Sequence, residues 1–176
     1  MMMISLLLLS LFVIGCFCCT NLLVTPGAST SGNPMLAYAA DSGDLLGKLY
    51  HWKRGKHDAS NDKVKIFDWD SGVYLGEIDQ VEETYNVVGN TNEHGLIIGE
   101  TTFGGLEELS TQPGAKIDYG NLIWVTLQRA KNATEAITIM TELVAKYGYA
   151  SEGESFSIID PHEVWVLEMI GKGSVE

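Results

Sequence analysis

The pattern of apolar and polar positions changes character along the chain. Residues 4 to 15, ISLLLLSLFVIG, form an apolar run broken only by serines. Its length suits the core of a secretory signal and falls short of the roughly 20 residues that span a bilayer. Beyond it, apolar residues group into short extended runs between turn residues. TNLLVT reads as a strand, PGASTSGNP as a loop, and MLAYAADSG as a second strand ending in Asp41. KVKIFDWDSGVYLGEI gives two extended arms around an Asp-Ser-Gly turn. TYNVVGNTNEHGLIIGETTFGG, residues 84 to 105, predicts a hairpin that gathers Asn90, Asn92, Glu93 and His94 at one end of a sheet.

The period then switches to helical. In IDYGNLIWVTLQRAK, Leu122, Ile123, Thr126, Leu127 and Ala130 recur at helical spacing. NATEAITIMTELVAKYG predicts a second helix. Asn132 caps it, Glu135 follows three residues later, Ile137, Met140, Leu143, Val144 and Tyr147 form the apolar face, and Gly148 ends it. ESFSIIDPHEVWVLEMIG returns the chain to sheet through the turn DPHE. Strands, a helix pair, then strands predict an α+β architecture with helices stacked on antiparallel sheet. The chain stops at GKGSVE directly after a strong apolar strand, which predicts a domain that continues further.

Composition narrows the partners. The net charge is -12, and no charged residue occurs in the first 40 positions, so the acidity belongs to the body. Phosphate contacts need clustered Lys and Arg, and KRGKH is short and isolated, so no nucleic-acid partner is expected.

Cys16, Cys18 and Cys19, all the cysteines of the chain, crowd the end of the apolar run. VIGC resembles the bacterial lipobox, which would lipidate Cys16 and anchor the protein. Small residues at Cys16 and Cys18 equally suit cleavage before Cys19, leaving residues 1 to 18 as a leader and one cysteine at a free N-terminus. Such a residue carries a thiol and an α-amine together, and the amine can serve as the thiol's base. On residues alone, all three cysteines could also be small apolar members of a signal.

Other motifs have plain structural readings. His51, His57, His94 and His162 lack metal-ligand spacing, and DWDSGVYLGE fits a hairpin turn better than a calcium loop. Asn132 begins the sequon NAT but is also wanted as a helix cap. Asn92 and Asp41 each have a local role available, satisfying backbone in a turn.

Taken together, CTNLLVTPGASTSGNPMLAYAADSG, YNVVGNTNEHGLIIGETTFGG and the segment from IDYGNLIWV to EMIGKG resemble the amino-terminal part of the secernin-related cysteine dipeptidases. That resemblance covers residues 19 to 173. It implies the four-layer αββα sandwich of N-terminal-nucleophile hydrolases, incomplete in this chain, and a secreted or periplasmic peptidase acting on dipeptides without a cofactor. It assigns Cys19 as nucleophile with its own α-amine as base. Asp41 is the acid that orients them, and Asn92 is the oxyanion donor. Many relatives carry Arg where this chain has Tyr38. The acidic composition suits a substrate with a free ammonium. Two rivals remain open: an acyl-amide hydrolase on the same fold, and a non-catalytic lipoprotein held to a membrane at Cys16. Homo-oligomerisation is also open.

Overall fold

The computed structural model of the protein describes residues 19–41, 47–110 and 112–171. The expected leader, with Cys16 and Cys18, lies outside the described residues. In chain order the strands begin with β1 (Thr20–Val24) and β2 (Met35–Ala39), followed by the two-residue strands β3 (His51–Trp52) and β4 (Gly55–Lys56). Next come β5 (Lys63–Phe67), β6 (Tyr74–Asp79), β7 (Glu83–Thr84), β8 (Val87–Val88), β9 (Thr91–Asn92) and β10 (Ile97–Gly104). A single turn of helix α1 (Glu107–Ser110) precedes α2 (Tyr119–Leu127) and α3 (Ala133–Tyr147), and β11 (Gly153–Ile159) and β12 (Val164–Met169) close the fold.

The main sheet runs β12-β11-β10-β9-β8-β3, and β1-β2, β4-β7 and β5-β6 form separate pairs. Every strand pair is antiparallel. Alternation along β10 and β11 divides the sheet's two faces. Ile98, Phe156 and Ile158 are fully buried on one, in the same core as Leu122 and Ile123 of α2 and Met140 of α3. Gly99 and its cross-strand partner Ser157 lie on the other, where the β1-β2 hairpin packs. A Cβ at Gly99 would sit 3.2 Å from Tyr38, and Asn21 Nδ2 donates to Ser157 Oγ at 2.9 Å. Helices on one face of an antiparallel sheet bear out the α+β expectation.

The helices follow from their caps. Asp118 accepts from the backbone of Asn121 at 2.8 Å and starts α2. Asn132 accepts from the backbone of Glu135 at 2.8 Å, and Glu135 reaches back to the Lys131 N–H at 2.6 Å, so orphan donors at the start of α3 are met from both sides. Gly148 ends α3 at φ 75, a conformation that favours glycine, and a Cβ there would meet Ala115 at 3.0 Å. Of the expected apolar face of α3, Met140, Leu143 and Val144 are buried, and Ile137 and Tyr147 pack at its margin. Asp79 joins the β5-β6 pair to α3, held by Lys63, by Lys146 Nζ at 2.6 Å and by the Tyr147 hydroxyl at 2.8 Å.

One expectation changes. The hairpin over residues 84 to 105 is broken, because its first arm pairs with β9 and with β3 rather than with β10. Gly89 and Gly95, at φ 55 and 78, turn the chain on either side of β9, so the β9-β10 ladder consists of the one pair Ile97 and Thr91. The residues of β10 beyond that pair have no β9 partner, and the candidate site lies beside them.

Candidate active site

Cys19 immediately precedes β1, and the β1-β2 register places Thr20 opposite Ala39. The start of one strand and the end of the other therefore meet, which brings Asp41 to Cys19. Both line a cavity of about 590 Å³ whose other walls come from β10, from α2 and from the chain around residues 47–50 and 69–70. Cys19 is half-buried, and its thiol lies 3.9 Å from Glu100 Oε1. Burial first, and the charge of Glu100 second, push the thiol above its ordinary value, while backbone N–H groups of Asp41 and Thr102 pull it down.

Tyr38 stands beside Cys19, and its hydroxyl donates to Glu100 Oε1. Burial and this bond raise the phenol well above its usual range, so it remains a neutral donor. Glu100 is 3% exposed, and nearby Glu154 on β11 is 1% exposed. Burial, and after it the charge and hydrogen bond of Glu100, push Glu154 up to about 9 against the pull of Thr102 Oγ1, which donates to it at 2.8 Å.

The opposite wall is aromatic. Trp69 and Trp124 stack with ring centres 3.9 Å apart, and Tyr50 tilts against both, at 5.0 and 5.6 Å. Trp124 is fixed by its indole N–H donating to Gly89 O at 3.0 Å. Trp69 is fixed by Asp118, which accepts from its backbone N–H at 3.1 Å, and by close approach to α2: a Cβ at Gly120 would fall 2.4 Å from the indole. Asp118 thus caps the helix and ties the β5-β6 turn to it. The turn reading of DWDSG holds, with Asp68 accepting from the Ser71 backbone at 2.8 Å. Asp70 accepts from the Tyr119 hydroxyl at 2.9 Å at the cavity rim. Lys48 is the one cation among the described lining residues, which include the acids Asp41, Asp70 and Glu100.

The structure brings Cys19 and Asp41 together and does not bring Asn92 to them. Asn92 is 5% exposed and lies outside the cavity lining. Its Nδ2 donates to Leu127 O at 2.8 Å and Ala130 O at 2.7 Å, while its Oδ1 accepts from the N–H groups of His94 at 3.0 Å and Leu96 at 3.2 Å. Both amide hydrogens are spent, so this side chain has none left for an oxyanion. Asn90, two residues earlier, does line the cavity and spends one hydrogen on Ile98 O at 2.7 Å. The sequence reading also missed Glu100 and Glu154. The signal available for them was an acid at an inward position of a strand, in register with Ile98 and with Phe156 and Ile158.

The molecule is therefore an α+β protein that presents a half-buried thiol in a cavity with an acidic floor and an aromatic wall. Residues 58–175 match the model of peptidase family C69, and the chain belongs to that family, which comprises secernin-related cysteine dipeptidases. Membership makes it a cysteine-type peptide hydrolase. The match contains Asn90, Asn92, Glu100, Trp124 and Glu154 and begins after Cys19, Tyr38 and Asp41.

Proposed function

We propose that the protein is an exported dipeptidase whose nucleophile is Cys19, made N-terminal by removal of residues 1 to 18. The observation that carries this reading is the meeting of Cys19, Asp41, Asn90 and Lys48 around one cavity. In the reaction the α-amine takes the thiol proton, and sulfur bonds to the scissile carbonyl carbon. Asp41 orients the amine. The free N–H of Asn90 and a backbone N–H receive the developing oxyanion, the role that resemblance assigns to Asn92. Removing one such donor commonly costs about 100- to 1000-fold in rate. As the C–N bond breaks, the α-ammonium returns its proton to the leaving amine. Water, deprotonated by the same amine, then releases the acyl group and restores the thiol.

A free dipeptide carries both charges, and the cavity offers both: Lys48 for the carboxylate, and a surplus of acids for the ammonium. Members of this mechanistic class fold as a four-layer αββα sandwich, to which the helix layer and sheet described above would contribute. The test combines N-terminal mass mapping of the exported protein with hydrolysis of unblocked dipeptides and of acyl-amides, for the native protein and Cys19→Ala. A start at Cys19 with dipeptide cleavage abolished in Cys19→Ala supports the reading. Preference for acyl-amides would favour the amidase alternative, and a lipidated Cys16 would sink the mechanism.

A further inference from the structure

Glu100 at the floor of the cavity and Glu154 behind it are both buried, and among the described residues neither forms an ion pair. Thr102 stands opposite Glu154 in the β10-β11 register, and Glu100 is two residues from Thr102 on the same face, so the two carboxyls meet diagonally across the strands. One oxygen of each is occupied: Glu154 Oε1 by Thr102, and Glu100 Oε1 by Tyr38 and the Cys19 thiol. Glu100 Oε2 and Glu154 Oε2 remain, both buried and without a conventional donor. One proton satisfies both, carried by Glu154 and donated to Glu100. A pair that shares one proton keeps a single negative charge, beside Cys19.

Lys48, the one cation of the described lining, is exposed and forms no ion pair with either acid among the described residues, and no other group described around that charge cancels it. The hairpin contributes Cys19, Tyr38 and the acid Asp41. Helix α2 contributes Asp118 and Tyr119, and the chain leading into β11 contributes Tyr149 and Glu152. Tyr149 is buried, Tyr38 and Tyr119 are half-buried, and all three are held in their neutral form; the remainder are acids or the thiol. A buried charge left without a counter-charge is strongly unfavourable. The full-length chain has a neutral peptide nitrogen at Cys19, whereas a chain beginning there has an ammonium on the residue whose thiol already reaches Glu100.

We propose that Glu100, backed by its proton-sharing partner Glu154, is the positioning residue that holds the α-ammonium of processed Cys19, so that leader removal supplies the cation the buried pair lacks. The proposal rests on Cys19 being the mature N-terminus. The thiol proton passes to the α-amine, Glu100 accepts an N–H hydrogen bond from the resulting ammonium, and Glu154 keeps its own proton. Glu100 thus keeps the proton carrier aimed at sulfur.

The experiment expresses the full sequence, purifies the processed protein and confirms its start by mass. The thiol is capped as a methyl disulfide, and the α-amine is titrated by competitive acetylation read by mass spectrometry. The amine should titrate at least about one unit above the ordinary 7.7 to 8.0, a tenfold change in proton affinity. Glu100→Gln should return it to the ordinary range and move the acid limb of kcat/KM to lower pH. Glu154→Gln, whose amide can donate to Glu100 Oε2 and leaves the charge in place, should keep the amine raised. An ordinary amine in the native protein overturns the proposal even if Glu100→Gln does not fold, and so does a raised amine that Glu100→Gln leaves unmoved. A start other than Cys19 defeats the peptidase reading itself, whereas dipeptide cleavage with an unshifted amine defeats this proposal alone.

Discussion

Replacing Asn92 by Ala separates the role that resemblance assigns it from the one the structure gives it. The amide bridges β9 to the end of α2 with two donated and two accepted bonds. Leu96, Leu127 and Ala130 are fully buried, so water cannot replace the bonds to them, and only the His94 N–H is at an exposed residue. A typical intramolecular hydrogen bond contributes about 0.5 to 1.5 kcal/mol net, and orphaning a buried partner costs about 1 to 3. Three buried partners would sum to about 3 to 9 kcal/mol, and because single substitutions rarely exceed about 5, Asn92→Ala is put at about 3 to 5 kcal/mol. For a chain of this size that lowers Tm by about 6 to 20 °C, at roughly 2 to 4 °C per kcal/mol. Asn92→Asp should be at least as damaging, because it sets a carboxylate oxygen against two carbonyls. The assay is urea or thermal unfolding beside kcat for dipeptide cleavage, measured well below the lowered midpoint. The expected result is a large stability loss with little change in kcat. Native-like stability with a hundredfold drop in kcat would refute the reasoning and restore Asn92 as an oxyanion donor.

Three further outcomes follow from the same structure. In the unprocessed chain, burial and Glu100 raise the Cys19 thiol, so alkylation by iodoacetamide should keep accelerating above pH 8.5, where a free thiol is half ionised; a plateau below pH 8 would contradict the geometry. Glu154 titrates near 4.5 when unfolded and near 9 when folded, so between those values the native state binds the extra proton and stability declines as pH rises, by at most about 1.4 kcal/mol per unit. Glu154→Gln should flatten that decline in urea midpoints measured across the window, and an unchanged slope would count against the shared proton. Asn132→Ala removes the cap of α3 and should cost about 1 kcal/mol, read by thermal unfolding of protein from a host that does not glycosylate; no loss would leave the sequon as the better account of this residue.

The chain's own pattern specified much of this protein because much of it is local. Caps, helical spacing and the glycine stop define α2 and α3 within single segments, and paired apolar runs around turn residues define β1-β2, β5-β6 and β11-β12. Cys19 and Asp41 were legible for the same reason, since they flank one hairpin. The rest depended on register and on contacts between distant segments. Residues 90 and 92 are both asparagines in one turn, and only the path of the chain through Gly89 and Gly95 sends one to the cavity and the other to the carbonyls of α2. Glu100 and Glu154 become neighbours only when β10 and β11 pair as they do, because a slip of one residue would carry an acid to the opposite face. The aromatic wall draws Tyr50, Trp69 and Trp124 from three separate segments and needs Gly120 to leave room for an indole. The sequence by itself thus determined the elements and the thiol, through interactions spanning a few residues. Tertiary packing decided which polar groups face that thiol, because burial and antiparallel register are properties of the assembled sheet.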